Sequence, residues 1–461
     1  MLRIWTLMLT AGMLLAACGC SVEQTTTVTQ GDGDAKAVAF GVAWCENEDP
    51  AIAAKTAVTE AIEKLGCDPK GLIFYEYYPK TVTVTNDAGD EEEKEIPDAE
   101  KDKLVLPAIR GVIDSIPMIG CRARSLVSGG TMLQNTVAVM AIGGTDISCK
   151  AIKTELVADR KAVGAAIAEG VKDVADLKLI MALSEMNLSF DTTPGISVED
   201  FIRGALDVVG KDVTLFGGNC MPNDYPDDKG GVQFIDDEVL EGHVVALGIG
   251  GPIAVHANHT NEFELSEKTV EVTKTDDKWI LELDGRPTAE VYRELRGMKP
   301  EDPFTSDSQH PIGVIVTEDE SKVYLRMVLE ERADDGALRF VAAVPEGTKI
   351  KILIGGFDAQ AILDSAAEGI TESLNKAGDA EPLVAILSDC CARGGRLREF
   401  RSAGECEIKD AILPALGDKA GFPIFGFYAW GELGPIAGEF GGLTCMYQQH
   451  TFVSAVLTEE E

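Results

Sequence analysis

Apolar runs of five to eight residues alternate with stretches of helical spacing along most of the chain, and each run predicts a buried strand. Residues 36–42 form the first run. Asp49 then offers an N-cap and Pro50 a first helical residue, and Ile52, Ala54, Ala57, Val58, Ala61, Ile62 and Leu65 recur on one helical face before Gly66 closes it. Residues 72–78 read as the next strand. Strand, helix, strand in this order predicts a parallel pair joined by a crossover helix. The pattern returns with a helix over 161–174, a strand over 177–183, a capping-box start at Ser197 with Asp200, a buried face of Ile202, Ala205, Leu206 and Val209, and a strand over 213–218. It returns again as a strand over 383–387, helical spacing over 405–416 and a strand over 423–434. Three segments, 72–120, 179–217 and 384–426, thus share one grammar and end on Gly120, Gly217 and Gly426. Their unequal lengths indicate an internal structural repeat rather than a solenoid.

Between the second and third segments, residues 231–235, 242–249, 269–274 and 279–285 read as strands, with Asp284-Gly285 as a turn. Strands follow over 310–315, 324–329, 338–344 and 349–354, and Asp358 caps a helix through Ile362, Ala366, Ile370 and Leu374. The expectation is a mixed α/β fold of the α+β kind, with repeated strand–helix–strand units forming mixed sheets. An N-terminal domain spans 36–283 and a C-terminal domain 284–457. The acidic stretch 86–103 interrupts the first unit and is expected to be a mobile surface loop.

The chain has 461 residues and a net charge of −36, which repels a phosphate backbone and excludes nucleic acid as a partner. Its beginning follows a different logic. Arg3, an apolar run over 4–15 too short to span a bilayer, and Leu15-Ala-Ala-Cys18 read as a lipoprotein signal. Residues 1–17 would be removed, Cys18 would carry the lipid, and 18–35 would be a polar tether, placing the protein on a membrane of the bacterial cell envelope, facing the periplasm or the exterior. The eleven cysteines show no repeated CxxC spacing, so no zinc site is expected. No metal or cofactor is expected elsewhere: no phosphate-binding loop or GxSxG elbow is present, and His256 and His259 read as surface residues of a loop.

The chemistry gathers where strands end. In open α/β sheets a ligand favours the crevice beyond the strand C-termini, which marks Cys121, Asn219-Cys220 and the stretch from Tyr428 to Glu432. The strand at 383–387 runs into Ser388-Asp-Cys-Cys-Ala-Arg393, and packing alone does not ask for Asp389, Arg393 or Glu432 there. Arginine offers a planar fork for a carboxylate, and carboxylates hold an ammonium, so Arg393 with Asp389, Tyr428 and Glu432 suits a zwitterion such as an amino acid. An internal Arg393–Glu432 ion pair is the structural alternative. Cys390 or Cys391 as a nucleophile with His450 as base would instead make a hydrolase or transferase, and a lipoprotein with a merely structural role is the third reading.

Cys390-Cys-Ala-Arg393, Glu407-Ile408, Gly426-Phe-Tyr428, Gly431-Glu-Leu-Gly-Pro435 and Gln449-His-Thr451 resemble, in order and approximate spacing, the C-terminal part of the FIST family of sensory proteins. Leu215-Phe-Gly-Gly218 with Asp224, Val270-Glu-Val-Thr-Lys274, and Glu282-Leu-Asp-Gly-Arg-Pro287 with Tyr292 resemble its N-terminal part and junction. Most of 36–457 is covered. The departures are 86–103 and Ala392, where the family commonly has glycine. The resemblance implies a sensory protein that binds a small molecule at Asp389, Cys390, Arg393, Tyr428, Glu432 and His450. No kinase, cyclase or receiver pattern is present in this chain, so any output is expected to come from a separate protein.

Overall fold

A computed structural model describes residues 36–85, 91–127, 134–191, 193–221, 230–304, 311–320, 322–356, 358–400 and 407–460. The signal, Cys18 and the tether lie outside the described residues, as do Gly129-Gly130, Asp224, His310 and Cys406.

Three units share one topology. Unit one has strands Ala39–Glu46, Pro69–Tyr77, Met118–Arg122 and Thr136–Gly143. Unit two has Ser148–Glu155, Leu177–Ser184, Thr214–Asn219 and His243–Gly250, and unit three has Ile253–Thr260, Pro382–Cys390, Ile424–Ala429 and Phe452–Glu459. In each, the second and third strands are parallel, the last runs antiparallel to the second, and the first runs antiparallel to the last. Helices join the early strands: Pro50–Leu65 and Ala99–Arg110, then Arg160–Val171 and Val198–Val209, then Ala359–Ala377, Cys391–Phe400 and the turns from Ile408 to Leu416. Their ends follow the local chemistry. Asp49 accepts from the amides of Ala51 and Ile52 ahead of Pro50, and Gly66 turns the chain out with φ 70°.

The units are locked by exchanged strands. After its third strand, each unit lends a strand to another's sheet. Ser125–Val127 of unit one pairs with Ile424–Ala429 of unit three, Gln233–Ile235 of unit two pairs with Met118–Arg122 of unit one, and Glu432–Phe440 of unit three pairs with Thr214–Asn219 of unit two. The ring closes. Inside it, the register-matched pairs Ile73 and Ile119, Met181 and Phe216, and Ile386 and Phe425 share one buried core. One step along stand the three glycines of the repeat. A Cβ on Gly120, Gly217 or Gly426 would lie 2.6, 2.0 or 2.5 Å from the neighbouring Phe74, Ala182 or Leu387. Close approach therefore explains all three, and only Gly217 also has positive φ.

A β lobe is inserted between the first strand and first helix of unit three, its sheet running from Val323–Arg326 through Glu264–Asp276 to Val328–Arg332. Two expectations are corrected. The acidic stretch 86–103 is ordered where described: Glu91–Pro97 forms a ribbon with Pro79–Thr85, because alternating Thr and Val over 81–85 favours a strand, and Ala99–Arg110 is a helix capped by Asp98. His256 and His259 lie on strand Ile253–Thr260, where Nε2 of buried His259 meets the Val323 carbonyl at 3.1 Å.

Sheets drawing strands from both sides of residue 283 predict one cooperative unit. Residues 36–283 and 284–457 expressed separately are expected to give no cooperative thermal transition, while 36–460 melts once; two fragments melting at the temperatures of the whole chain would contradict the interlock.

Candidate functional site

Unit three ends its second strand at Cys390 and begins a helix at Cys391, so Arg393 returns four residues after Asp389 and lies over it. The Arg393 guanidinium donates from Nε to Asp389 Oδ1 at 2.7 Å, from Nη1 to Glu262 Oε2 at 2.5 Å and Ser365 Oγ at 3.0 Å, and from Nη2 to the Ile362 carbonyl at 3.1 Å. It is fully buried. Burial alone would weaken its hold on the proton, but Asp389 and Glu262 outweigh that. The fork is therefore committed inside the protein. Its partners are Asp389 and Glu262, not Glu432 as the alternative ion pair required.

Tyr428 lies beside Asp389 in register and donates to Glu407 Oε2 at 2.5 Å, and the Glu407 carboxyl lies against that of Asp389. The helix packs this closely because Gly394 has no side chain: a Cβ there would sit 2.4 Å from the Tyr428 ring. Glu432 arrives on the exchanged strand, opposite Gly218 and Gln448. It accepts from the Thr451 hydroxyl at 2.8 Å and the Thr451 amide at 3.2 Å, beside the Cys390 thiol. The thiol in turn meets the His450 backbone. His450 itself has φ 55°, a sparsely populated conformation for a non-glycine residue. Its Nε2 faces Met327 Sδ of the inserted lobe at 3.2 Å, and its ring stands edge-on to Phe263 at 5.6 Å. All six residues singled out in the sequence thus meet in one buried network.

That network is under-satisfied. Among the described residues, no hydrogen-bond partner meets Asp389 Oδ2, Glu407 Oε1, Glu432 Oε1, Ser388 Oγ, His450 Nδ1 or the side-chain amides of Gln448 and Gln449. Buried polar groups ordinarily find partners, so so many in one place point to an absent one. Burial pushes the Asp389 carboxyl well up, with Glu407 adding to it and Arg393 opposing. Burial also lifts Glu432, with Cys390 reinforcing it. The His450 ring is driven down to about 3 by burial and the nearby Arg396 and Arg393, so it is neutral. The Cys391 thiol and burial together raise Cys390, the opposite of an activated thiolate.

The other two units fill the matching positions differently. Unit two sets Ser184 beside Asn219, with Ser184 Oγ donating to Asn219 Oδ1 at 2.8 Å and meeting Tyr447 Oη at 3.0 Å. Unit one sets Glu76 beside Arg122, whose guanidinium pairs with Asp102. Cys121 and Cys220, marked in the sequence as strand-end candidates, meet in the central core instead.

Two family models match the chain, the FIST N domain over residues 95–286 and the FIST C domain over 288–435. The chain belongs to the FIST family. The FIST C match includes Asp389, Cys390, Arg393, Tyr428 and Glu432, and ends before His450. Among its relatives, an uncharacterized protein of Mycobacterium tuberculosis is 25% identical over 344 residues, covering 73% of this chain and 83% of the relative. An uncharacterized protein of Methanocaldococcus jannaschii is 25% identical over 334 residues, 65% of this chain and 60% of the relative. Among solved structures, a cyanuric acid hydrolase from A. caulinodans aligns over 92% of this chain and 100% of its own, with TM-score 0.37 and 9% identity, values that speak to neither fold nor activity.

Further residues complete the network. Glu262 follows a strand with no periodic signal. Glu407, Gln449 and Thr451 stood inside family motifs, but only the fold shows their carboxyl, amide and hydroxyl turned inward.

Removing the guanidinium leaves two buried acids uncompensated, so Arg393→Ala is expected to lose about 3–5 kcal/mol in urea unfolding, and a loss below about 1 kcal/mol would contradict the network. Asp389 and Glu432 keep their protons to higher pH folded than unfolded. The folded state therefore binds the extra protons, and stability falls as pH rises above about 4. Glu432→Gln is expected to flatten that fall, raising the thermal midpoint more at pH 8 than at pH 4; a pH-independent difference would count against it.

Proposed function

We propose that this FIST protein is a sensory protein that binds a small molecule at the strand-end network of Asp389, Cys390, Arg393, Tyr428, Glu432 and His450, and signals through a separate partner. The observation that carries the reading is the set of buried, partnerless oxygens and amides contributed by Ser388, Asp389, Glu407, Glu432, Gln448 and Gln449. Such a set loses free energy while empty and recovers it when a polar ligand supplies the missing bonds. The aromatic residues Phe263, Tyr428 and Phe452 border the same network, an arrangement of apolar and polar groups that suits a small molecule. His450 touches Met327, and Arg326 Nη1 donates to the Tyr447 carbonyl at 2.5 Å, which links the network to the inserted lobe and gives occupancy a route outward. Leu15-Ala-Ala-Cys18 supports a lipid anchor at Cys18, with the sensor on the bacterial cell envelope.

The rival reading, a thiol- or acid/base-dependent hydrolase or transferase, is weaker here. It needs a reactive thiolate and a base in reach, whereas Cys390 is held protonated and the His450 ring is turned to a methionine sulfur.

Thermal unfolding against a panel of amino acids, amines and organic acids tests the reading. A ligand at about 100 times its dissociation constant adds roughly 2.7 kcal/mol, and the resulting shift is expected to shrink in Asp389→Asn. No shift with any compound, together with rapid alkylation of Cys390 or Cys391, would transfer the case to an enzyme.

A further inference from the structure

The network holds more acid than base. Glu262, Asp389, Glu407 and Glu432 are all fully buried, and the cations among the described residues that face them are Arg393 and Arg396. Both guanidiniums are directed at the same acid: Arg393 reaches Glu262 Oε2 at 2.5 Å and Arg396 reaches Glu262 Oε1 at 3.6 Å. Arg393 is further tied to Asp389, Ser365 and the Ile362 carbonyl, and Arg396 stands over the Phe263 ring at 5.7 Å. The Arg393 fork is therefore fully engaged inside the protein. Unmet bonds lie on the acids as well as on the Gln448 and Gln449 amides. Asp389 Oδ1, Glu407 Oε2 and Glu432 Oε2 accept from Arg393, Tyr428 and Thr451 respectively, and the second oxygen of each meets no donor among the described residues. Independently of these acids, the amide of Gln448, directly across from Glu432, has neither atom partnered, and it too is fully buried.

We propose that the ligand presents a cationic amine, and that its ammonium group, rather than any carboxylate, is what this site reads, through Asp389 Oδ2, Glu407 Oε1 and Glu432 Oε1. The inference rests on the ligand-binding reading above and narrows it. An ammonium has three donors and no acceptor, which matches three acceptor oxygens. It also supplies the positive charge the four acids lack, where two ionised carboxyls without counter-charge would be costly to bury. While no ligand is present, protons take that role on the carboxyls, so the amine enters as RNH3⁺ and the carboxyls give up protons to solvent. The Gln448 amide carbonyl provides a further acceptor for a hydroxyl or second N–H on the ligand. With four buried acids against two guanidiniums among the described residues at this end, a ligand carboxylate would add to the unbalanced negative charge, so an α-amino acid is expected to bind no better than the amine formed by removing its carboxyl group.

Matched sets test this: isoamylamine, leucine and isovalerate, with hexylamine, hexanoate and 1,4-diaminobutane, titrated into the whole chain by calorimetry and thermal shift. At least one amine is expected to bind while its matching acid does not, with a heat that depends on the ionisation enthalpy of the buffer because protons are released. A hydrogen bond to a charged group contributes about 1.5–3 kcal/mol, so Glu432→Gln should weaken that amine about tenfold or more. Glu407→Gln, should the first variant fold poorly, is expected to do the same. Acids binding where amines do not, leucine binding where isoamylamine does not, or amine affinity unchanged in both variants would overturn the amine assignment while leaving a ligand site. No binding by either class would overturn the ligand-binding reading itself.

Discussion

Everything in this fold depends on the exchange of strands around a closed ring. Each unit's sheet is completed by a strand from another, and the main-chain bonds repeat at matching places: the Arg122 amide to the Val232 carbonyl, the Asn219 amide to the Gly431 carbonyl, and the Tyr428 amide to the Arg124 carbonyl. No unit can satisfy its sheet edge alone, and an open edge is a liability that native folds cover. The apolar core between the sheets is shared in the same way, since its side chains come from all three units. Stability and geometry at one strand end are therefore inherited from the whole ring.

The site exists because of that exchange. Asp389, Cys390 and Tyr428 belong to the sheet of unit three, whereas Glu432 leaves that unit and pairs with Gly218 of unit two. The crossing brings a fourth acid to a place where Glu262, Asp389 and Glu407 are already buried around Arg393. A protein interior accepts such a cluster only with protons or cations to balance it. The same topology need not build the same chemistry: unit two places neutral Ser184 and Asn219 at the matching positions, bonded to each other and, through Ser184, to Tyr447 of unit three. Polar demand without supply is concentrated most heavily in unit three.

Much of the fold was legible because it is written in periodicity. The helix after Asp49, the parallel strands and the repeated glycines follow from apolar spacing, caps and turn residues that act locally. The strand exchange was not legible, since pairing between Glu432 and Gly218 spans more than two hundred residues and leaves no periodic trace. The same distance hid the partner of Arg393. Sequence placed the arginine near Glu432, its neighbour on the map of strand ends, while the structure gives it Glu262 from the far side of the inserted lobe. Candidate residues were found where a strand end carried charge without a packing reason. Glu262 and Glu407 were not assigned, because a lone acid beside a strand or in a helix looks like an exposed one until the fold buries it. The acidic stretch before Ala99 shows the converse: composition argued for a loop, and alternation across the preceding strand pulled Glu91–Pro97 into a ribbon.

The central claim is that one buried network, assembled from two exchanged sheets, receives the ligand. Hydrogen exchange of the whole chain, with and without a saturating amine, tests it most directly. The claim predicts added protection at 388–393, 428–434 and 448–451, and also at 217–219, which belong to a different unit and meet the network only through the exchanged strand. Protection confined to another part of the surface, or at 388–393 with no change at 217–219, would contradict it.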